Sequence, residues 1–334
     1  MRRIFIILII CLSFIGCEKA LIEKDMTNTP ANNFELLWKT LDEKYSFFDF
    51  KQIDWGDMKE KYGSRVHDDM HDTALFKVLD DMLFELRDGH VNLTSSFNVS
   101  RNWEWRLNSP PNFDWDIIER NYLGDNYEIT GPFRNTWIGS VGYIYYGSFS
   151  SGVSGRHLNY LVQKYKDADG IIIDIRNNGG GNLSNVERIV ERLTKSKVLV
   201  GYSKFRNGPE HGDFTSPEPL YAEPHEEDVS VFELPVVVLT NRSSYSASND
   251  FTLKTMALPQ VTVMGDTTGG GGGFPFHAEL LNGWTYRFST SVTLDVDGVN
   301  IEDGIAPDIL IQTSPGDEQN GIDTILEEAL EFLK

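Results

Sequence analysis

The sequence is poor in cysteine, in positive charge and in long apolar runs, and each shortage excludes something. Its two cysteines, Cys11 and Cys17, both lie near the start. A disulfide framework, a thiolate metal cluster and a thiol nucleophile are therefore excluded from the body of the chain. Thirty Lys plus Arg stand against fifty Asp plus Glu in 334 residues, a net charge of −20. A surface so acidic repels phosphate backbones, which argues against nucleic acid as a partner. No apolar stretch reaches the length of roughly 20 residues that a spanning helix needs. Metal and nucleotide motifs are missing as well. His67 and His71 sit four apart in HDDMHD, but the glutamate and third ligand of an HExxH site are absent. The run DIRNNGGGN is neither a Walker loop nor GxGxxG. Neither a cofactor nor a metal is expected, and the chain has no internal repeat.

What is present begins with an address. In MRRIFIILIICLSFIGC two arginines precede an apolar run of about a dozen residues, and small residues lead to Cys17. That is the pattern of a secretory signal. The FIGC ending resembles a bacterial lipobox, with Cys17 as the lipidated first residue of the mature chain. The expectation is removal of residues 1–16, a lipid anchor and polar tether over 17–32, and attachment to the periplasmic or outer surface of a bacterial membrane. Loss of Arg2 and Arg3 would leave a net charge of −22.

From Phe34 the pattern is helical. FELLWKTLDEKYSFF sets Phe34, Leu37, Leu41 and Tyr45 on one stripe, and TALFKVLDDMLFELRD repeats the pattern with Leu75, Val78, Leu79, Met82 and Leu86. Residues 33–88 are expected to form a small helical subdomain. GHVNLTS alternates like a strand, whereas residues 97–137, rich in Trp, Asn and Pro, show little periodicity. From about 140, strands and helices alternate. GIIIDI and LPVVVLT are continuous apolar runs, each leading into a helix, which predicts an α/β core over 140–334 with a mixed sheet covered on both faces. A polar excursion fills 207–230. LLNGWTYRFS predicts a hairpin turning at Asn282-Gly283, GDTTGGGGG a mobile hairpin, and DTILEEALEFLK a closing helix.

Ligands collect beyond the carboxyl ends of strands in such sheets, and two strand ends carry unusual residues. Three glycines in DIRNNGGGN, ahead of a helix, expose N–H groups suited to an anion or a tetrahedral oxyanion. They also suit a tight turn with Asn182 as helix cap. TNRSSYSASND offers Ser243, Ser244, Ser246 and Ser248 at the turn from a buried strand to a helix, where an exposed nucleophile would sit. Serine also caps helices there, and local pattern does not choose among the four. Of the possible bases, His277 lies in a strand near the glycine run, and His90 follows a glycine where a helix gives way to a strand.

Five stretches in order resemble the tail-specific, or C-terminal processing, peptidase family that includes the tricorn core protease: DGHVNL, GIIIDIRNNGGGN, VVVLTNRSSYSASND, VMGDTTGGGG and VNIEDGIAPDI. The resemblance implies a crotonase-like or ClpP-like core and a peptide or protein substrate. It makes Ser246 the nucleophile, in a segment where Tyr245 and Asn249 replace the usual Ala and Glu. One branch of the family uses a Ser–Lys dyad; here Gly271 stands at the lysine position, and Lys254 cannot be carried over. The tricorn-like branch implies His90 as base and Glu302 as its support, with Gly89 where that branch has a serine. Glu302 is then expected to reach His90 directly or through water. The oxyanion would be held by the N–H of Ala247 and of Gly180 or Gly181. Residues 89–139 are expected to be a connecting region, too short for the full PDZ domain that many relatives insert. The rival expectation is a catalytically inactive ligand- or peptide-binding protein on the same scaffold.

Overall fold

The computed structural model describes residues 26–100, 102–103, 109, 111–227 and 229–334. The expected signal segment, Cys17 and the first part of the tether lie outside the described residues. The chain enters through helices α1 (Pro30–Lys44), α2 (Phe48–Lys51), α3 (Trp55–Gly63) and α4 (Asp72–Phe84). α1 starts where it does because the Thr29 side chain accepts the Asn32 N–H, while Pro30 fills a position whose N–H would be unpaired in any case. Phe34, Leu37 and Leu41 are buried, as their spacing requires. His71 caps α4 by accepting the Thr73 N–H, and His67 meets Asp69 at 2.6 Å in solvent.

Then follow β1 (Asn92–Thr94), α5 (Trp115–Ile117) running into a π-helical turn, β2 (Glu128–Thr130), β3 (Phe133–Ile138), β4 (Val141–Tyr145), α6 (Gly155–Lys164), β5 (Gly170–Asp174), α7 (Leu183–Val190), β6 (Val198–Phe205), β7 (Glu218–Ala222) and β8 (Val236–Thr240). The rest is α8 (Ala247–Met256), β9 (Val261–Gly265), β10 (Pro275–Glu279), β11 (Thr285–Ser289), β12 (Ser291–Leu294), β13 (Ile309–Leu310), α9 (Pro315–Gln319) and α10 (Thr324–Phe332).

The molecule is mixed α/β. Its main sheet has the order β13-β9-β8-β5-β4-β3-β2, parallel from β13 to β4 and antiparallel beyond. β4, β5 and β8 are buried at every residue because helices cover both faces. α6, α7 and α8 lie on one face, and α10 with the π-helical turn lies on the other. β2 and β3 extend this sheet, so residues 128–138 belong to the core rather than to a connecting region. β2 forms its edge, and Ile129 is 70% exposed.

Two smaller sheets, β1-β11-β10 and β12-β6-β7, complete the fold. β7 falls inside the polar excursion, for which no element was expected. The N-terminal helices have no core of their own. Leu79, Met82 and Leu86 pack in one cluster with Leu280, Trp284, Tyr286 and Phe288 of the hairpin. That shared core decides the geometry of the site, because β1, which follows His90, pairs with β11 in the register Asn92–Arg287.

Candidate active site

β8 ends at Thr240 and α8 begins at Ala247, and the six residues between make the turn that carries the serines. Two of the four candidates have their hydroxyls engaged in the fold. Ser244 Oγ donates to the Ile175 carbonyl and Ser248 Oγ to that of Asn178; both residues are fully buried. Ser243 lies at the cleft wall with its N–H on Asn241 Oδ1. Ser246 differs from all of them. It sits at φ 59°, ψ −116°, a strained conformation for a residue with a Cβ, and its side chain makes no capping bond to the helix it precedes. The strain is held by the Ser246 N–H on the Gly270 carbonyl at 2.8 Å and the Tyr245 N–H on that of Asn178 at 3.1 Å. The hydroxyl is thereby turned out of the helix and into the cleft.

There it meets His90. Ser246 Oγ and His90 Nε2 are 2.9 Å apart, although 156 residues separate them in the chain. The His90 ring also lies 5.0 Å from the Tyr245 ring. Asp88 Oδ1 accepts the His90 N–H at 2.7 Å, and its other oxygen accepts the Tyr45 hydroxyl at 3.0 Å, so a buried carboxylate fixes the backbone that presents the imidazole. Burial pulls the His90 imidazole down to about 4. Asp88 opposes that fall, and Arg287 and Lys51 add to it. The ring is therefore neutral near pH 7. With Nε2 accepting the serine proton, the ring proton belongs on Nδ1, which has no hydrogen-bond partner among the described residues.

Of the two routes expected from Glu302 to His90, direct or through water, the direct one does not form. Glu302 is buried, but its Oε1 is 3.0 Å from Lys51 Nζ and its Oε2 accepts the Gly272 N–H at 2.9 Å. A buried ammonium needs a carboxylate more than a neutral imidazole does, so Lys51 takes it. Burial and then Asp88 push Glu302 up to about 8, against the pull of Lys51 and the Gly272 N–H.

The glycine run is not a mobile hairpin. Gly269 to Gly273 are buried, and Gly271 to Gly273 form a wall of the cleft. At Gly271, φ is +80° and a Cβ would lie 2.6 Å from the Tyr245 ring, so the aromatic side chain occupies the room that a lysine there would need. Tyr245 and Gly271 are one steric unit. Lys254 points elsewhere, paired with Glu187 and Asp250.

Of the expected oxyanion donors, Gly180 is withdrawn. Its N–H donates to the buried Asn178 Oδ1 at 3.0 Å. Its contribution is steric, since a Cβ there would lie 2.9 Å from Ala247 N. The N–H groups of Gly181 and Ala247 have no partner among the described residues. The cleft has a volume of about 460 Å³, and Trp103, Asp250, Phe274, Arg287 and Ile301 contribute to its lining. His277 is exposed on β10. Sequence reasoning missed Tyr45, Lys51 and Asp88. Asp88 stood inside a quoted motif, but Tyr45 read only as part of an apolar stripe and Lys51 gave no signal.

A family model described as Peptidase family S41 matches residues 140–311, and one described as Tricorn protease C1 domain matches residues 26–84. The chain is 28% identical over 207 residues to the tricorn protease of Thermoplasma volcanium, covering 58% of this chain and 17% of that protein. It is 28% identical over 176 residues to the carboxy-terminal processing protease CtpB of Bacillus subtilis, covering 52% of this chain and 34% of that protein. This chain thus spans only a minor part of either relative's length. A crystal structure of a candidate peptidase from Parabacteroides merdae matches with a TM-score of 0.87 at 46% identity, over 92% of this chain and 97% of that one.

Proposed function

The chain belongs to peptidase family S41, and from that premise we propose that it is a serine endopeptidase that cleaves peptides or unfolded protein tails through an acyl-enzyme. Ser246 Oγ attacks the scissile carbonyl carbon while His90 Nε2 takes the hydroxyl proton. The carbonyl oxygen becomes an oxyanion that receives the N–H groups of Ala247 and Gly181. His90 returns the proton to the leaving amine as the carbon–nitrogen bond breaks. Water then repeats the cycle on the ester, and Ser246 leaves as it began. Glu302, held by Lys51, offsets the charge on the imidazolium once it is ionised, without touching the ring.

The observation that carries this reading is the 2.9 Å contact between Ser246 Oγ and a neutral, buried His90 in an open cleft. A serine in a strained turn with no structural hydrogen bond from its side chain has its hydroxyl free to react. The test is Ser246→Ala, which should abolish both peptide hydrolysis and fluorophosphonate labelling while the fold persists; hydrolysis at the wild-type rate would sink the proposal. One observation favours the rival reading of a non-catalytic binding protein, namely the unpartnered His90 Nδ1. A folded wild-type protein that takes up no fluorophosphonate but binds peptide saturably would establish that reading instead. The N-terminal pattern ending at Cys17 supports attachment to a bacterial envelope membrane through lipid.

A further inference from the structure

Lys51 belongs to neither the strand-end motifs nor the cleft wall, yet it is among the least ordinary residues in the molecule. Its side chain is 6% exposed and its partner's, Glu302, 2%. Lysines are almost never buried without a reason, and an apolar residue beside the Phe47 ring would serve packing as well or better. Its Nζ also donates to the Arg87 carbonyl at 2.9 Å, and Arg87 Nη2 donates back to the Lys51 carbonyl at 2.5 Å. The two residues form a reciprocal staple between α2 and the turn that precedes His90. That turn needs holding, because Arg87 sits at φ 48°, a left-handed conformation that a side-chain-bearing residue adopts only under constraint. Asp88 then receives the Tyr45 hydroxyl and the His90 N–H, and β1 begins.

We propose that Lys51 is a positioning residue of the Ser246–His90 pair. From α2 it clamps the strained Arg87 turn that presents the imidazole, and it fixes the Glu302 carboxylate against the glycine wall of the cleft. This rests on the serine peptidase reading of the same site. One ammonium serves both tasks because its protons reach the Arg87 carbonyl and Glu302 Oε1 together. Glu302 is locked at three points: Oε1 on Lys51, Oε2 on the Gly272 N–H, and its carbonyl accepting the Gly271 N–H at 2.9 Å. The wall of glycines and the His90 turn are thus referred to one charge pair. The N-terminal helices become part of the reacting geometry rather than a cover over it.

The charged and titratable groups facing Glu302 are Lys51 of α2, Asp88 of the turn, Tyr45 at the end of α1 and Tyr245 of the nucleophile turn. Those facing His90 are Asp88, Arg287 of β11, Lys51 and Tyr245. Lys51 is the cation that opposes the upward shift of Glu302, so its removal should carry the titration of Glu302 further up.

The experiment follows the rate of fluorophosphonate labelling of Ser246 from pH 5 to 10 in the wild type, Lys51→Met, Lys51→Arg, Glu302→Gln and the double variant Lys51→Met/Glu302→Gln, with thermal melts to confirm folding. Lys51→Met should label about 10- to 100-fold more slowly at pH 8. Its rising limb should lie above the wild-type limb near 8, and Lys51→Arg should return the limb towards wild type. The double variant should be no slower than the slower single variant, because both act on one unit. Should Lys51→Met fail to fold, Lys51→Gln, which keeps a donor without the charge, should show the same shift. Labelling at the wild-type rate overturns the proposal. So does a slowed rate with an unmoved limb and additive losses, the behaviour of a residue that only supports the fold. A folded wild type that never labels defeats the serine peptidase reading itself, whereas a wild type that labels alongside an unaffected Lys51→Met defeats only the role of Lys51.

Discussion

His90 is a buried imidazole whose basicity is spent on staying neutral. Its value of about 4 in the folded chain lies well below the ordinary 6.5. Between those two pH values the unfolded chain binds a proton that the folded one does not, so stability falls as pH drops through that window. The difference amounts to on the order of 3 kcal/mol. Glu302 has the opposite sign. Raised from 4.5 to about 8, it contributes stability that is complete at low pH and is lost as pH climbs through 8. The contribution of His90 is therefore read as a difference. In urea titrations at pH 7 and 4.5, wild type should lose more stability on acidification than His90→Gln does. Equal losses in the two proteins would show that the imidazole is not held neutral. At this scale the sequence was partly legible: His90, Ser246 and Ala247 could be named from pattern and resemblance. The direct Glu302–His90 contact could not be corrected from sequence, since the competing Lys51 lies far away in the chain and carries no motif.

The steric pairing of Tyr245 and Gly271 belongs to the scale of elements, one residue on the nucleophile turn and the other on the glycine wall. Putting a side chain at Gly271 combines a positive φ with overpacking. Gly271→Ala is expected to cost roughly 2–4 kcal/mol. Tyr245→Ala opens the space, so Tyr245→Ala/Gly271→Ala should recover the overpacking share, and denaturant midpoints of the four proteins give the coupling. Additive losses would mean that the two residues do not share one volume. The same wall shows why the glycine run was misjudged as mobile. Five glycines read as freedom when the chain is considered alone. In the fold Gly270, Gly271 and Gly273 are pinned by neighbours too close for a Cβ, such as the Glu302 carbonyl at Gly270 and the Ser289 side chain at Gly273. β7 and β2 were missed for a related reason, because short edge strands bury too little of themselves to leave a periodic signature.

Across the whole molecule, the site forms where two layers meet. The large sheet delivers Ser246 from the end of β8, and the layer of N-terminal helices and hairpin delivers His90 beside β1. Damage to the shared helical core should therefore reach the chemistry. The proposed lipid anchor is also a property of the whole chain. Cys17→Ala, expressed in a bacterial host, should shift the protein from the membrane fraction to the soluble periplasmic or culture fraction and abolish incorporation of labelled palmitate, with peptidase activity unchanged. Retention on the membrane without palmitate would point to an uncleaved leader instead.

The sequence by itself determined the longer helices and the buried strands and their order, because hydrophobic periodicity, capping residues and turn chemistry act over a few residues and need no partner. It also determined the absence of thiol chemistry and a nucleophile segment with a short set of candidates. Tertiary structure alone decided which serine is strained and meets the imidazole, which glycine N–H groups remain open, and that Glu302 contacts Lys51 directly rather than His90. Those outcomes depend on burial and on competition among charges brought together from opposite ends of the chain, and such distances do not exist until the layers pack.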